Sequence, residues 1–427
     1  MNIITYNNRN GNLKQKLLER TQNNAKGAYE SVQRILIDIK KNGLNAVLQY
    51  ANKFDGFNSS NIKVSKKELA ESENKVTKKF KVAVKTAAQN INKFHKPQIP
   101  KKYSVKTMNG IRCFREFRPI EKVGFYIPGG TAVLPSTLLM LGIPARLAGV
   151  KRIVVCSPTK NYLRPELLFV AKFLGITEVY KIGGVQAIGL MAYGTSKIEK
   201  VDKIYGPGNQ FVNIAKSLVN LDPDGPAIDM IAGPSEVLII ADGSASPSYV
   251  AADLLAQAEH GNNSAVVLCT TSKALVKSVI RELNIQQINL SRRSFMENSL
   301  NDAKFIIFKT IDQAIQFSNE YAPEHLLLHV KNPERYISKI INAGSVFLGE
   351  NSPESVGDYA SGTNHSLPTG GNAKTTGGIS VEQFMKGIMF QRLTKKGLKN
   401  ISATVIELAH TEGLEAHAQS LKIRLQK

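Results

Sequence analysis

The sequence predicts an α/β protein made of two successive units, each with a parallel sheet, and three features carry that reading. From about residue 120, short β-branched runs alternate with segments of helical periodicity, and Gly or Pro punctuates each run. The rhythm pauses over 220–235 and then resumes. Two sheets of four or five strands accommodate these runs better than a single sheet of nine or more.

The elements follow in chain order. Residues 27–53 and 65–95 place apolar side chains at i, i+3, i+4 with charged faces between them, which predicts helices. Asn109-Gly110 separates KYSVKTM from IRCFREF and predicts a hairpin turn. In the first unit the expected strands are KVGFYI, RIVVC, EVYKI and KIYG, with helices at 132–148, 164–173, 186–194 and 209–219. In the second they are EVLIIA, AVVLC, KFIIF, LLLHV and AGSVFLG, with helices at 246–259, 272–284, 311–319 and 333–341. A loop rich in Gly, Ser and Thr spans 357–378, a length that is uncommon unless functional. Residues 376–427 read as helices only, a small appendage of the kind that packs on a partner subunit.

Composition narrows the function classes. The 427 residues are 42% hydrophobic and 21% charged, the balance of a globular chain rather than a disordered one. No apolar stretch approaches the roughly 20 residues of a membrane helix. The N-terminal MNIITYNNRNGNLKQKL lacks a signal-peptide core, so the expected location is the cytoplasm. Cys113, Cys156 and Cys269 are far apart and form no C-x-x-C pair, so any metal would rest on nitrogen and oxygen ligands. The net charge of +22 raises nucleic acid as a partner. The lysines, however, scatter over helical faces, densest at 63–106, without a zinc-finger or aromatic RNA-binding pattern. A solvated surface with no nucleic-acid and no membrane partner is the expectation.

Four glycine-rich turns are read as following strands: Pro128-Gly129-Gly130, Gly183-Gly184, Gly206-Pro207-Gly208-Asn209 and Ala232-Gly233-Pro234-Ser235. Ligands of parallel sheets sit off the carboxyl ends of strands, so these turns are where a substrate or cofactor is expected. GPGNQF at 206–211 is the nearest approach to a dinucleotide fingerprint, but Phe211 stands in the third glycine's place.

The seven histidines divide. His95, between lysines and a proline, reads as a surface residue; His365 lies in the long loop, solvated or functional; and His410 near a helix end suits the helix dipole. His260 ends an amphipathic helix and shares a face with Gln257 at i, i+3, either as a cap or as a metal ligand. His417 shares a helix with Glu412. In YAPEHLLLHV, His325 and His329 would chelate one ion on a helix, but LLLHV has strand composition, and strand geometry sets them about 13 Å apart. His329 is therefore read as a strand residue without chemistry. Glu324-His325 at a strand entrance suits general acid–base work, against the alternative of a buried, hydrogen-bonded histidine.

Taken together, the segments resemble the histidinol dehydrogenase family from about residue 25 to 420. The most specific stretch is IDMIAGPSEVLIIADGSASPSYVAADLLAQAEHG at 228–261; VGFYIPGG, GGVQAI, YGPGN, YAPEH, GDYASGTNH and EGLEAH follow the family's order and spacing. The resemblance implies two Rossmann-like, incomplete, doubly wound parallel-sheet domains with small N- and C-terminal helical extensions. The division it implies is an N-terminal helical arm at 1–25, one α/β domain from 26–120 and 235–375, a second, NAD-binding one at 121–234, and a C-terminal helical domain at 376–427 that reaches the partner subunit.

It further implies oxidation of L-histidinol to L-histidine through the aldehyde with two NAD⁺, one Zn²⁺ per subunit, and a homodimer with active sites shared across the interface. The zinc ligands it implies are Gln257, His260, Asp358 and His417, and these four would also meet the substrate. Ser235, His325 and Glu412 would complete the substrate contacts; Tyr126, Gln186 and Asn209 would line the NAD site. Glu324 and His325 would be the acid–base pair. A zinc hydrolase would share the ligand set, but it has no need of the glycine-turn pockets.

Overall fold

The structure, a computed structural model, describes residues 2–6, 11–20, 25–129, 134–231 and 233–426. Gly130 and Ala232 of the glycine turns, and the first residues of the helix expected at 132–148, lie outside the described residues.

The strands, in chain order, are β1 (Asn2–Thr5), β2 (Tyr103–Met108), β3 (Ile111–Pro119), β4 (Lys122–Tyr126), β5 (Arg152–Cys156), β6 (Glu178–Tyr180) and β7 (Lys203–Tyr205). There follow β8 (Ala227–Ile228), β9 (Glu236–Ala241), β10 (Ala265–Thr270), β11 (Lys304–Ile307), β12 (His325–His329), β13 (Ser345–Leu348) and β14 (Met385–Leu393). Two parallel sheets result, with orders β6-β5-β4-β7-β8 and β1-β11-β10-β9-β12-β13. The protein is therefore α/β, as the alternation predicts, and both sheets wind the same way. In each, the first strand of the unit (β4 or β9) lies beside the fourth (β7 or β12), and there the winding reverses.

Each sheet buries both faces, which is why its strands read as near-continuous apolar runs. Alternate residues of β9 point to opposite cores: Val237, Ile239 and Ala241 to one, Leu238 and Ile240 to the other. The helices Pro135–Ala148 and Pro165–Phe173 cover one face of the five-stranded sheet; Gly184–Tyr193 and Gln210–Leu221 cover the other.

Four departures from the sequence reading have physical causes. The helical stretches of 25–95 pack on the five-stranded sheet, contributing Ile39 and Val47 to one of its cores and Val84 and Ile91 to the other. The division implied by the resemblance had grouped them with 235–375. The N-terminal arm carries β1, which pairs with β11 and makes the second sheet six-stranded. The C-terminal region holds β14, which pairs antiparallel with β3 of the expected hairpin before the helices Lys395–Thr411 and Glu415–Leu425. His95, expected at the surface, is fully buried, with Nδ1 2.9 Å from the Ile91 carbonyl. Among the described residues no helix is long and apolar enough to cross a membrane.

Candidate active site

The βαβ connection explains where the site lies. After β9 the chain returns along the helix Pro247–Ala258, so the helix ends at the amino edge of the six-stranded sheet and His260 lands there. At the same edge the helix Ile311–Tyr321 stops at Ala322 in a left-handed conformation (φ 51°), Pro323 follows, and Glu324 and His325 enter β12. The short helix Glu354–Tyr359 then sets Glu354 and Asp358 on one face at i, i+4. One sheet edge thus collects residues from segments about 100 positions apart.

The expected acid–base pair is buried, Glu324 at 6% and His325 at 2% exposure. Glu324 Oε2 accepts the Glu236 amide at 2.8 Å, and His325 Nδ1 lies 3.3 Å from the Glu236 carbonyl. Pairing of His325 with Val237 across β12 and β9 sets this register. Gly344 packs so closely on the Glu324 carbonyl that a side chain there would collide with it. His325 Nε2 is 3.4 Å from Asp358 Oδ1, and Nδ1 is 3.8 Å from Glu354 Oε1 and from Glu324 Oε2.

Burial governs the protons. It pushes the Glu324 carboxyl up to about 8 and that of Glu354 up to about 7. Burial alone would strip the proton from His325; the carboxylates of Glu354, Glu324 and Asp358 outweigh it and hold the imidazole up at about 10. Asp358 goes the other way: burial raises its pKa, but His325, His365 and His260 hold it below its ordinary value.

Ligand-bearing atoms of His260, Glu354 and Asp358 lie within 4.8 Å of one another. One turn before His260, the Gln257 side chain is fully buried, and neither its amide oxygen nor its nitrogen has a hydrogen-bond partner among the described residues. A buried amide left unmatched costs on the order of 1–3 kcal/mol, so a polar ligand facing it would be favoured. Ser235 precedes β9 at this edge, and its carbonyl accepts the Ala265 amide at 2.9 Å. Glu412 and His417 join no such group among the described residues. They are exposed, and they do not share a helix as expected: Glu412 caps the helix Lys395–Thr411, which packs on β14, and His417 lies in Glu415–Leu425, which packs on that helix.

The other expected cluster lies on the five-stranded sheet. Tyr126 ends β4, and its hydroxyl accepts the Gly184 amide at 3.2 Å; burial raises its pKa to about 12. Gln186 donates to Asp55 at 2.9 Å, and Asn209 caps its helix by accepting the Val212 amide at 3.1 Å. Gly206 has φ 115° and rests on the Tyr126 carbonyl, where no other residue fits. The buried Lys216 ammonium donates to the Gly206 carbonyl at 2.9 Å and pairs with Asp229, whose other oxygen accepts the Gly206 amide at 2.8 Å. His365 links the two regions, with Nδ1 2.8 Å from the Asp358 carbonyl and Nε2 3.0 Å from Thr137 Oγ1.

Ser235 follows a strand, β8, as expected, but it stands directly before β9, so it belongs to the amino edge of the six-stranded sheet rather than to a carboxyl end. His329 sits in β12, as expected of a strand residue; its Nε2 lies 2.9 Å from buried Asp253, on the helix that carries Gln257. Glu354 was not picked out from the sequence; its i, i+4 spacing to Asp358 is the signal that could have found it.

A model of the histidinol dehydrogenase family matches residues 18–425. The histidinol dehydrogenase of Vibrio parahaemolyticus is 46% identical over 397 residues, covering 93% of this chain and 92% of that protein. That of Bacteroides thetaiotaomicron is 46% identical over 412 residues, covering 96% of each. The crystal structure of the Elizabethkingia anophelis enzyme superposes with a TM-score of 0.95 at 45% identity, over 99% of this chain and 98% of that one. On sequence and fold alike, the chain belongs to the histidinol dehydrogenase family and is an oxidoreductase.

Proposed function

We propose that the protein oxidises L-histidinol through L-histidinal to L-histidine, the last steps of histidine biosynthesis, with two NAD⁺ reduced per turnover and one Zn²⁺ per subunit. The observation that carries this reading is the buried Glu324–His325 pair beside the His260–Glu354–Asp358 group, with the unmatched Gln257 amide next to it.

The donor set fits zinc. Gln257, His260 and Asp358 would hold it together with His417 of the partner subunit, using nitrogen and oxygen ligands with positions left for substrate. When bound, zinc supplies Lewis acidity, a hold on the substrate's imidazole and amine, and charge that offsets the carboxylates now keeping a proton on His325, while NAD⁺ supplies the hydride acceptor. His325, oriented by the Glu236 carbonyl through Nδ1, presents Nε2 and takes the alcohol proton as the C–H bond breaks. Glu324, whose carboxyl burial keeps near neutrality, then takes a proton from the water that hydrates the aldehyde. His325 serves again in the second oxidation. Ser235 and the partner subunit's Glu412 contact the substrate.

On the five-stranded sheet, Tyr126, Gln186 and Asn209 line the turns where NAD⁺ would bind. The N-termini of the helices Gly184–Tyr193 and Gln210–Leu221 open there and suit phosphates. The projecting C-terminal helices expose Leu408, Leu414 and Ile423, which supports a homodimer in which each subunit completes the other's site. A cytoplasmic location agrees with this biosynthetic role.

The test is histidinol-dependent NADH formation with the product identified. Two NADH per histidine, and loss of activity together with zinc on chelation, are expected. NADH formation without histidine, or full turnover by metal-free enzyme, would refute the reading.

A further inference from the structure

Glu236 touches both members of the acid–base pair, and does so only through its main chain. Its side chain is 3% exposed and spends its carboxylate elsewhere. Oε1 accepts Arg20 Nε at 2.5 Å and the Gly370 amide at 3.0 Å; Oε2 accepts Arg20 Nη2 at 3.1 Å. This is the two-toothed fork that guanidinium forms with a carboxylate and that an ammonium cannot reproduce.

Arg20 also reaches the other side of the same corner. Nη2 donates to the Tyr321 carbonyl at 2.5 Å, and the guanidinium carbon sits 4.0 Å from the centre of the Tyr321 ring. Tyr321 is the last residue of its helix, and Ala322 follows in a left-handed conformation that a residue with a β-carbon adopts only under strain. Glu324 comes two residues later. Arg20 therefore grips the strained corner at its start, through Tyr321, and at its far wall, through Glu236. The N-terminal segment is itself anchored: Lys14 pairs with Glu320 at 2.6 Å, and Lys304 donates to the Leu17 and Glu19 carbonyls at 3.0 and 2.7 Å.

We propose that Arg20 and Glu236 are a positioning pair. Together they hold the strained Tyr321–Glu324 corner so that the Nδ1 proton of His325 is committed to the Glu236 carbonyl and Nε2 faces the reacting atoms. Neither side chain touches substrate. The proposal rests on the assignment of Glu324 and His325 as the acid–base pair.

Steady-state kinetics with histidinol and NAD⁺ test it in the full-length, zinc-loaded enzyme, with active sites counted by zinc content and folding followed by thermal denaturation. Arg20→Met should lower kcat on the order of 10- to 100-fold, the scale of a small misplacement of a catalytic group, with KM for histidinol within about twofold. Arg20→Lys should recover little, because it keeps the charge and loses the fork. Ala322→Gly in the Arg20→Met background should restore several-fold of the lost kcat, since glycine removes the strain that pulls the released corner away. A purely structural role would move the melting temperature and the active fraction, not kcat per zinc site. The proposal is overturned if kcat per site in Arg20→Met stays within twofold of the original, or if Ala322→Gly restores none of the loss. His325→Asn is measured alongside. If it is crippled and Arg20→Met is not, the clamp alone falls; if it turns over normally, the acid–base assignment falls and the proposal with it.

Discussion

The five-stranded and six-stranded sheets share one winding order and gather their candidate site residues at opposite edges. On the five-stranded sheet, Gly206 and Asn209 lie at the carboxyl ends of β4 and β7, where helices begin. On the six-stranded sheet, Glu324 and His325 lie at the amino ends of β9 and β12, where the helix Pro247–Ala258 finishes. Helix starts carry partial positive charge and helix ends partial negative charge. The first edge therefore suits the phosphates of a dinucleotide, and the second suits a cation and a protonated imidazole. The same architecture yields two opposite electrostatic environments, and His365 spans from one to the other. Each edge also carries an ion pair with a buried carboxylate at its reversal point: fully buried Lys216–Asp229 on the first, and Glu236 with the partly exposed Arg20 on the second.

The largest effect should come from the amino edge. His325→Asn keeps a hydrogen-bonding side chain but cannot carry a proton, and turnover should fall roughly 10²–10⁴-fold with zinc content and NAD⁺ affinity unchanged. A matching loss of NAD⁺ affinity, measured by titration, would break the division between edges.

Next is the carboxyl edge's ion pair. Lys216→Met leaves Asp229 buried without its cation, with its side chain 2% exposed, and should cost on the order of 3–5 kcal/mol in denaturant unfolding. NAD⁺ should bind more weakly to the folded variant, while zinc content stays the same. Zinc loss with normal NAD⁺ binding would invert the comparison.

A smaller effect separates two buried histidines. His325 is held charged by carboxylates, whereas burial lowers the pKa of His95, which no carboxylate contacts among the described groups. Below about pH 6.5 the unfolded chain takes up a proton that folded His95 refuses, so stability must fall as pH falls. The slope from this one group is at most about 1.4 kcal/mol per pH unit. His95→Gln should flatten the acid side of a melting-temperature profile; an unchanged slope would show that His95 does not stay neutral.

The smallest is Tyr126→Phe, which deletes the acceptor of the Gly184 amide at the proposed NAD⁺ turn; it should cost about 1 kcal/mol in denaturant unfolding and raise KM for NAD⁺ by about a few-fold, and an unchanged KM for NAD⁺ would remove Tyr126 from that site.

What the sequence made legible follows from what local patterns encode. Strands such as EVLIIA and LLLHV announce themselves because burial on both faces leaves no polar alternation. The Asn109-Gly110 turn is local chemistry and was readable for the same reason. β1 and β14 were not, because NIIT is short and MKGIMFQRL mixes polar and apolar residues; both take their state from distant partners, β11 and β3. His95 was misread from its lysine and proline neighbours in the chain. Its helix face, Val84, Ala87, Ala88 and Ile91, runs at helical spacing straight into it and is buried. Within the site, Glu324, His325 and His260 could be picked out, but the edge they occupy could not, since a turn between strands borders a carboxyl end and an amino end alike. Arg20 was invisible: one arginine in a polar stretch, defined by Glu236 and Tyr321, 216 and 301 residues away.

The amide of Glu236 offers something side chains cannot. It donates to the Glu324 carboxylate from inside the sheet, so no substitution short of proline removes it, and the donor itself does not titrate. Its nitrogen and proton resonances should therefore respond to every change in Glu324 ionisation. Labelled at that single residue, the protein carries its own spectroscopic gauge, able to follow the acid–base pair through substrate binding and turnover without an added probe.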